Sequence, residues 1–207
     1  MNAQAPVYEF RPGLILGFHG CDRDVGEAVL SGQTRHLKAS EKDFDWLGSG
    51  IYFWEGSHAR AWEWARERQR MGKIKNPFVL GAVIDLRHCL DLFDSGFRNE
   101  VKRAYHVLRT TLSQKGQELP RNAGPTPDYA ARRLDCAVIN LLLIEREEGI
   151  GGKSGMEPFD SVRGPFLEGE PIYPGAGFRS QTHIQISVRN TDCIKGYFRP
   201  LAQGGMA

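Results

Sequence analysis

Short apolar runs in this sequence, bounded by glycine, proline and polar residues, predict the strands of a sheet. Residues 14–18 form the first run, which is expected to end at His19-Gly20. Residues 51–54 combine aromatic and β-branched side chains, and residues 78–86 form a longer apolar run. Because runs of this length are typical of buried strands, all three segments are expected to lie in the core.

A later strand is predicted where apolar and polar residues alternate. Between residues 182 and 189, isoleucine and valine occupy every second position, and His183, Gln185 and Ser187 lie between them. Since successive side chains of a strand point to opposite faces, the apolar set is expected in the core and the polar set on an open face. A short strand near residues 194–198 would close the sheet.

Four helices are predicted from capping residues and from the helical spacing of apolar positions. The first is expected to begin after Asp22 and the second after Ser57, because aspartate and serine are favoured N-caps. The other two are expected at about 94–114 and 127–148. Residues 149–180 then contain eight glycines and four prolines, which predicts a long irregular segment, either functional or disordered.

Composition places these elements in one α+β domain spanning residues 1–207. With 41% hydrophobic and 25% charged residues, the chain resembles a globular protein whose core needs neither disulfides nor metal ions. The four cysteines form no C-x-x-C pair and are expected to be buried, reduced thiols.

Charge and hydropathy exclude some partners without naming one. The 27 Lys and Arg against 25 Asp and Glu give a net charge of +2, which sets no strong field for nucleic acid or membrane. The first residues lack a basic region followed by an apolar core, and no window approaches the roughly 18 apolar residues of a membrane span. We therefore expect a soluble, cytoplasmic protein with no membrane partner.

Three polar sites lie at the ends or open faces of predicted strands. They are His19-Gly20, the segment 48–53 that reads Gly-Ser-Gly-Ile-Tyr-Phe, and His183 with Gln185. Each alone is typical of an ordinary feature: a turn, a glycine at a strand entry, or a solvated strand face. Their order and spacing along the chain indicate a shared function.

In these features the sequence resembles the ADP-ribosyltransferases of the poly(ADP-ribose) polymerase and diphtheria-toxin type. That family is marked by His-Gly on its first strand, by G-x-G-I-Y-F some thirty residues later, and by a late strand that opens with a glutamate. Here His19-Gly20 and the segment 48–53 match, and residues 80–83 read Leu-Gly-Ala-Val like the family's L-G-x-V. Residues 185–190 are similar to the family's E-Y-x-x-Y-D when they are aligned without gaps.

The resemblance covers most of residues 13–92 and 181–199. It implies an α+β fold of the ADP-ribosyltransferase type, with two packed, mostly antiparallel sheets, an NAD cleft and outer helices. It also implies that residues 149–180 form a loop on the acceptor side of that cleft.

By position, the resemblance assigns residues to NAD. His19 would contact the adenosine ribose, and the Gly20 backbone would hold the nicotinamide carboxamide, since a glycine lets a ligand approach the backbone closely. Tyr52 and Gly50 would line the nicotinamide side, and Trp62 on the following helix would stack on the nicotinamide ring. NAD would serve as a co-substrate, and no metal ion is expected.

Gln185 stands where the family has its catalytic glutamate. In the family's reaction the nicotinamide–ribose bond breaks through an oxocarbenium-like state, which a carboxylate near the ribose stabilises. An amide oxygen can bind the ribose 2′-hydroxyl but stabilises less charge, a difference of about tenfold in rate. A carboxylate could instead come from Glu168 or Glu170 in the preceding loop, and His183 is placed to touch the acceptor or the ribose.

The resemblance implies a mono-ADP-ribosyltransferase that moves ADP-ribose from NAD to a protein or nucleic acid and releases nicotinamide. Small members of this kind are often bacterial toxins or defence effectors, for which an antitoxin or inhibitor would be a partner. The main alternative is a catalytically degenerate module that binds NAD or ADP-ribose. An RNA 2′-phosphotransferase is disfavoured by Tyr52, and metal-dependent hydrolysis through Asp43 and Asp45 lacks a recognisable ligand spacing.

Overall fold

The computed structural model describes residues 13–124, 131–150 and 155–201. Within these ranges the elements are, in chain order, β1 (Leu14–Asp22), α1 (Arg23–Leu30), β2 (Ile51–Glu55), α2 (His58–Arg70), β3 (Pro77–Asp85), β4 (Cys89–Asp91), α3 (Ser95–Gln114), β5 (Asn122–Ala123), β6 (Ala131–Arg132), α4 (Arg133–Glu147), β7 (Ser161–Phe166), β8 (His183–Val188) and β9 (Ile194–Phe198), with a single 3₁₀ turn at Thr191–Cys193.

Seven strands of the described residues form one sheet in the order β4-β7-β8-β2-β1-β3-β9. Neighbouring strands run antiparallel except β4 and β7, which are parallel. β5 and β6 form a separate two-stranded ribbon. The α+β class is therefore confirmed. The expectation of two packed sheets is wrong, because β1 and β2 hydrogen-bond and join the two halves into one mixed sheet.

The junction between β1 and β2 is short. These strands pair at Gly17 with Glu55 and at Phe18 with Trp54, and then separate, whereas β1 pairs with β3 along its whole length. The predicted end of the first strand at His19-Gly20 is therefore wrong, because pairing with β3 carries β1 on to Asp22. The separation opens a wedge between residues 19–21 of β1 and the start of β2.

Apolar side chains pack on both faces of the sheet. On one face, Phe53, Leu80, Ile84 and Ile186 belong to a cluster of fully or nearly fully buried residues. On the other, α3 and α4 cover the sheet with a second cluster that includes Leu142. Ile186 and Val188 of β8 are thus in the core, as the alternation predicts, whereas Ile184 is only partly buried.

The helix caps follow the sequence closely. The Asp22 side chain accepts from the Asp24 amide at the start of α1, and the Ser57 hydroxyl accepts from the Arg60 amide at the start of α2. α4 begins at Arg133 rather than at 127, since residues 131–132 pair in the ribbon and residues 125–130 lie outside the described residues. No helix within the described ranges is long and apolar enough to cross a membrane.

Residues 149–180 are not wholly irregular. They contain β7, which pairs with β8 from Ser161–Val188 to Phe166–His183 and so brings this segment into the sheet. The strand escapes sequence prediction because Gly164 and Pro165 interrupt it. Gly164 is nevertheless required, since a Cβ at this position would lie 2.9 Å from the ring of Trp46.

Candidate functional site

A cavity of about 420 Å³ opens where β1 and β2 separate, within the size range of small-molecule sites. Strand residues form its floor, α2 borders one side, and residues 38–46 border the other. Seven of the nine site residues predicted from the sequence line it: His19, Gly20, Gly50, Tyr52, Glu168, His183 and Gln185.

Trp62 and Glu170 do not line this cavity. Trp62 is 39% exposed and borders a neighbouring cleft, which shares Arg60 and Glu168 with the cavity. Trp64 lines the cavity in its place. Because a helix turns by about 100° per residue, positions two apart point to nearly opposite sides. Glu170 is exposed on the loop after β7.

His19 bridges the wedge between β1 and β2. Its Nδ1 lies 2.7 Å from the carbonyl oxygen of Tyr52, which can only accept, so Nδ1 carries the proton. Burial lowers the pKa of His19 below its usual value. The imidazole is therefore neutral near pH 7, and its Nε2 is an acceptor for a ligand hydroxyl.

Tyr52 contributes its ring rather than its hydroxyl. The phenol donates to the Gly48 carbonyl at 2.8 Å and accepts from the Leu47 amide at 3.0 Å. Burial raises its pKa well above the usual range, so the phenol stays protonated. Asn140 of α4 accepts from the Ser49 amide at 3.0 Å and holds the same turn from outside. Tyr52 is thus a fixed wall of the cavity and a poor candidate for proton transfer.

Both motif glycines allow close packing of protein against protein. A Cβ on Gly20 would lie 2.4 Å from the carbonyl oxygen of Ala61, so α2 could not rest on β1 if residue 20 had a side chain. A Cβ on Gly50 would lie 2.3 Å from the hydroxyl of Ser187. These contacts give each glycine a structural reason besides access for a ligand.

Gln185 is held by Trp46. The indole Nε1–H donates to Gln185 Oε1 at 2.6 Å. β8 pairs with β2 so that Gln185 faces Trp54 and Ser187 faces Tyr52, which places both polar residues beside the motif tyrosine. The polar set of β8 is therefore not on an open face. His183 and Gln185 line the cavity, and Ser187 is buried beside Tyr52.

A carboxylate enters the cavity from the loop after β7. Glu168 Oε2 lies 2.7 Å from the Arg60 guanidinium and 3.7 Å from Nδ1 of His183. His183 donates from Nδ1 to the Gln181 carbonyl at 2.7 Å. Burial, with a smaller contribution from Arg60, lowers the pKa of His183 to about 4, so it is neutral near pH 7.

Three buried polar atoms of cavity-lining residues have no hydrogen-bond partner among the described residues. They are Nε1 of Trp54, Nε of Arg60 and Nε2 of His183. Unsatisfied buried polar atoms are rare in folded proteins and cost about 1–3 kcal/mol each. All three belong to residues that line this one cavity, whose surface is therefore rich in polar side chains.

The cavity also carries a positive charge balance. Four cationic residues line it, against two carboxylates: Lys38, Lys42, Arg60 and Arg68, with Asp45 and Glu168. The Arg68 guanidinium lies 5.0 Å from the Trp64 ring centre. Aromatic faces next to cations suit a ligand that combines flat rings with phosphate.

Several residues that line the cavity were not predicted from the sequence. Arg60, Trp64 and Arg68 are spaced four residues apart on α2, and this spacing could have marked them as one helix face. Trp46 and Lys38 lie in an irregular segment, where no periodicity indicates which side chains turn inward. The described residues contain no group of three His, Cys, Asp or Glu that could hold a metal ion.

Comparison with known proteins places the chain in a family. It is 35% identical over 195 residues to an uncharacterized protein of Methanocaldococcus jannaschii, and the alignment covers 86% of this chain and 83% of that protein. The chain therefore belongs to the same family as this archaeal protein. No family model matches the chain, and no solved structure matches it.

Proposed function

We propose that this protein transfers a single ADP-ribose unit from NAD to a macromolecular acceptor and releases nicotinamide. The observation that carries the proposal is the convergence of His19, Gly20, Tyr52 and Gln185 from three strands on one cavity. These residues are up to 166 positions apart in the sequence, and His19, Gly20 and Tyr52 belong to the segments that resemble the family's motifs.

The nicotinamide ring would lie between Tyr52 and Trp64. Both side chains line the cavity, and the Tyr52 ring is held in place by the hydrogen bonds of its hydroxyl. Aromatic faces bind flat, electron-poor rings favourably. Trp64 would take the stacking role that the resemblance assigns to Trp62.

The rest of NAD would use the polar and cationic wall. Nε2 of His19 would accept from the adenosine ribose, and the cations near Trp64 would bind the pyrophosphate.

In the reaction the bond between nicotinamide N1 and ribose C1′ breaks, and nicotinamide leaves with the bonding pair. An acceptor oxygen or nitrogen then forms the new bond to C1′ and loses its proton. Positive charge develops on the ribose as the first bond breaks, and the Glu168 carboxylate would stabilise it. Gln185 would orient the ribose by hydrogen bonding, since an amide neither gains nor loses a proton near neutral pH.

The second candidate is a module that binds NAD or ADP-ribose without turnover. It is favoured by one observation: the glutamine at position 185 is neutral and firmly held by Trp46. Nicotinamide release from purified protein separates the two, because a binding module would release none.

Paired tryptophan variants on α2 test the ligand assignment. Stacking on an aromatic ring is worth about 1–3 kcal/mol per base, so Trp64→Ala should weaken NAD binding about 5- to 150-fold. Trp62→Ala is the matched control, because it removes the same side chain from the same helix outside the cavity. We expect its affinity for NAD to be unchanged in calorimetry. Loss of affinity in the control alone would restore the sequence-based assignment and remove Trp64 from the site.

A further inference from the structure

The amide of Gln185 is oriented by its partner. An indole N–H can only donate, so the atom of Gln185 that lies 2.6 Å from Trp46 Nε1 must be the amide oxygen. The amide nitrogen then points away from Trp46. The terminal torsion of a glutamine has two broad orientations, and this contact selects one of them.

Trp46 is itself fixed by its surroundings. Trp46 is 7% exposed, its ring centre lies 5.1 Å from that of Phe166, and the Arg132 guanidinium lies 4.7 Å from it. Gly164, which pairs with Gln185 across β7 and β8, leaves room for the ring to cross the strand.

Trp46 also separates two cavities. It lines the cavity of the candidate site, and on its other side it borders a second cavity of about 490 Å³ between α3 and α4. The hydrogen bond to Gln185 adds to the ring contacts that hold Trp46.

We propose that Trp46 is a positioning residue that fixes the Gln185 amide with its nitrogen toward the candidate site. Gln185 then presents a hydrogen-bond donor, so the ligand atom it meets is an acceptor oxygen. This reverses the sequence-based expectation that the amide oxygen binds the ribose 2′-hydroxyl. The catalytic consequence rests on the proposed function, whereas the orientation of the amide does not.

The same contact also predicts how the carboxylate of a glutamate at this position would be oriented. In a Gln185→Glu variant, one carboxylate oxygen would accept from Trp46 and the other would face the cavity. A charge-assisted hydrogen bond is shorter and stronger than a neutral one. Gln185→Glu should therefore strengthen the hydrogen bond of the Trp46 indole.

The orientation is tested by the indole N–H signals of the four tryptophans in a ¹H–¹⁵N spectrum. Loss of one signal in Trp46→Phe assigns it. In Gln185→Ala, which keeps Trp46, we expect that signal to shift and its hydrogen exchange to accelerate, while Gln185→Glu moves it downfield. A Trp46 indole signal unchanged by Gln185→Ala would overturn the proposal.

The consequence for catalysis is tested by a double-mutant cycle on nicotinamide release. Trp46→Phe keeps a ring but removes the donor, and the loss of one neutral hydrogen bond should lower kcat roughly 2- to 12-fold with little change in KM. In the Gln185→Ala background the same substitution should have no further effect. Effects that multiply instead would show that Trp46 acts independently of Gln185 and would overturn the proposal. If wild type releases no nicotinamide, the proposed function fails, and the indole signal alone decides the positioning role.

Discussion

His183 lies on the face of β8 that the alternation predicts to be open, yet its side chain is only 2% exposed. The rings of Trp54 and Phe166 lie 6.1 and 5.5 Å from its own ring centre and cover it. Neither contact can be read from the local sequence, since the two partners come from β2 and β7. A polar residue at a strand position predicted to be open is thus buried by long-range packing.

This burial predicts that acid destabilises the protein through His183. Its pKa is about 4 in the folded protein and 6.5 in the unfolded chain, so between these values the unfolded chain binds more protons. The free energy of unfolding should therefore fall as the pH falls from about 6.5 toward 4. At pH 5 the loss that His183 causes is about 2 kcal/mol.

Urea unfolding at pH 7.5 and pH 5 measures this effect. In His183→Asn we expect the difference between the two pH values to shrink by about 2 kcal/mol, while the dependence that comes from His19 remains. His106→Asn, on the exposed side of α3, should keep the full dependence. An equal dependence in His183→Asn and wild type would contradict the burial of a neutral imidazole.

Sequence reasoning found the residues whose signal is local. His19, Gly20 and Tyr52 were predicted because two short motifs hold them, and all three line the cavity. Trp62 was predicted to face the site, but Trp64 lines the cavity, since the spacing of the motif does not fix which side of a helix faces inward. Trp46 and Arg60 were missed because what turns them inward is contact with distant parts of the chain.

At the scale of elements, the cavity depends on how closely α2 approaches β1. Gly20 sets that approach, because the carbonyl oxygen of Ala61 occupies the space of a side chain at this position. Backbone atoms of a helix cannot move aside as a flexible side chain can. Any side chain at position 20 would therefore displace α2, and with it Arg60 and Trp64.

Gly20→Ala should destabilise the protein by about 1–3 kcal/mol, the usual range for overpacking, and weaken NAD binding. Gly196→Ala on β9 is the matched control, because a Cβ there meets no atom within 4 Å. Urea unfolding should give a control within about 0.5 kcal/mol of wild type. A Gly20→Ala protein as stable as that control would contradict the close packing of α2 on β1.

The elements themselves were predicted where caps and periodicity agree. α1, α2 and α3 begin directly after the residues that cap them. β7 was missed because glycine and proline usually end a strand, and only its pairing with both β4 and β8 shows that it belongs to the sheet. The loop prediction that rested on the glycine content of residues 149–180 applies to the segments on either side of β7.

At the scale of the whole molecule, the site is a consequence of an interrupted junction in the sheet. β1 and β2 pair at Gly17 and Phe18 and then separate. The cavity forms where the two backbones are no longer hydrogen-bonded to each other. Chain order did not reveal this junction, because β1 and β2 are separated by α1 and an irregular segment. Strands, α2 and the loop after β7 must all be in place before the candidate residues meet.

The most direct test of ADP-ribosyl transfer is to incubate the purified protein with NAD labelled in its adenylate phosphate and a cell lysate. We predict that nicotinamide is released and that an equal amount of label enters macromolecules. Digestion with only one of the two enzymes, nuclease or protease, should then make this label soluble. In folded His19→Ala both quantities should fall at least tenfold, because the acceptor nitrogen for the ribose is lost. Wild-type protein that releases no nicotinamide and transfers no label, or a His19→Ala variant as active as wild type, would contradict the account.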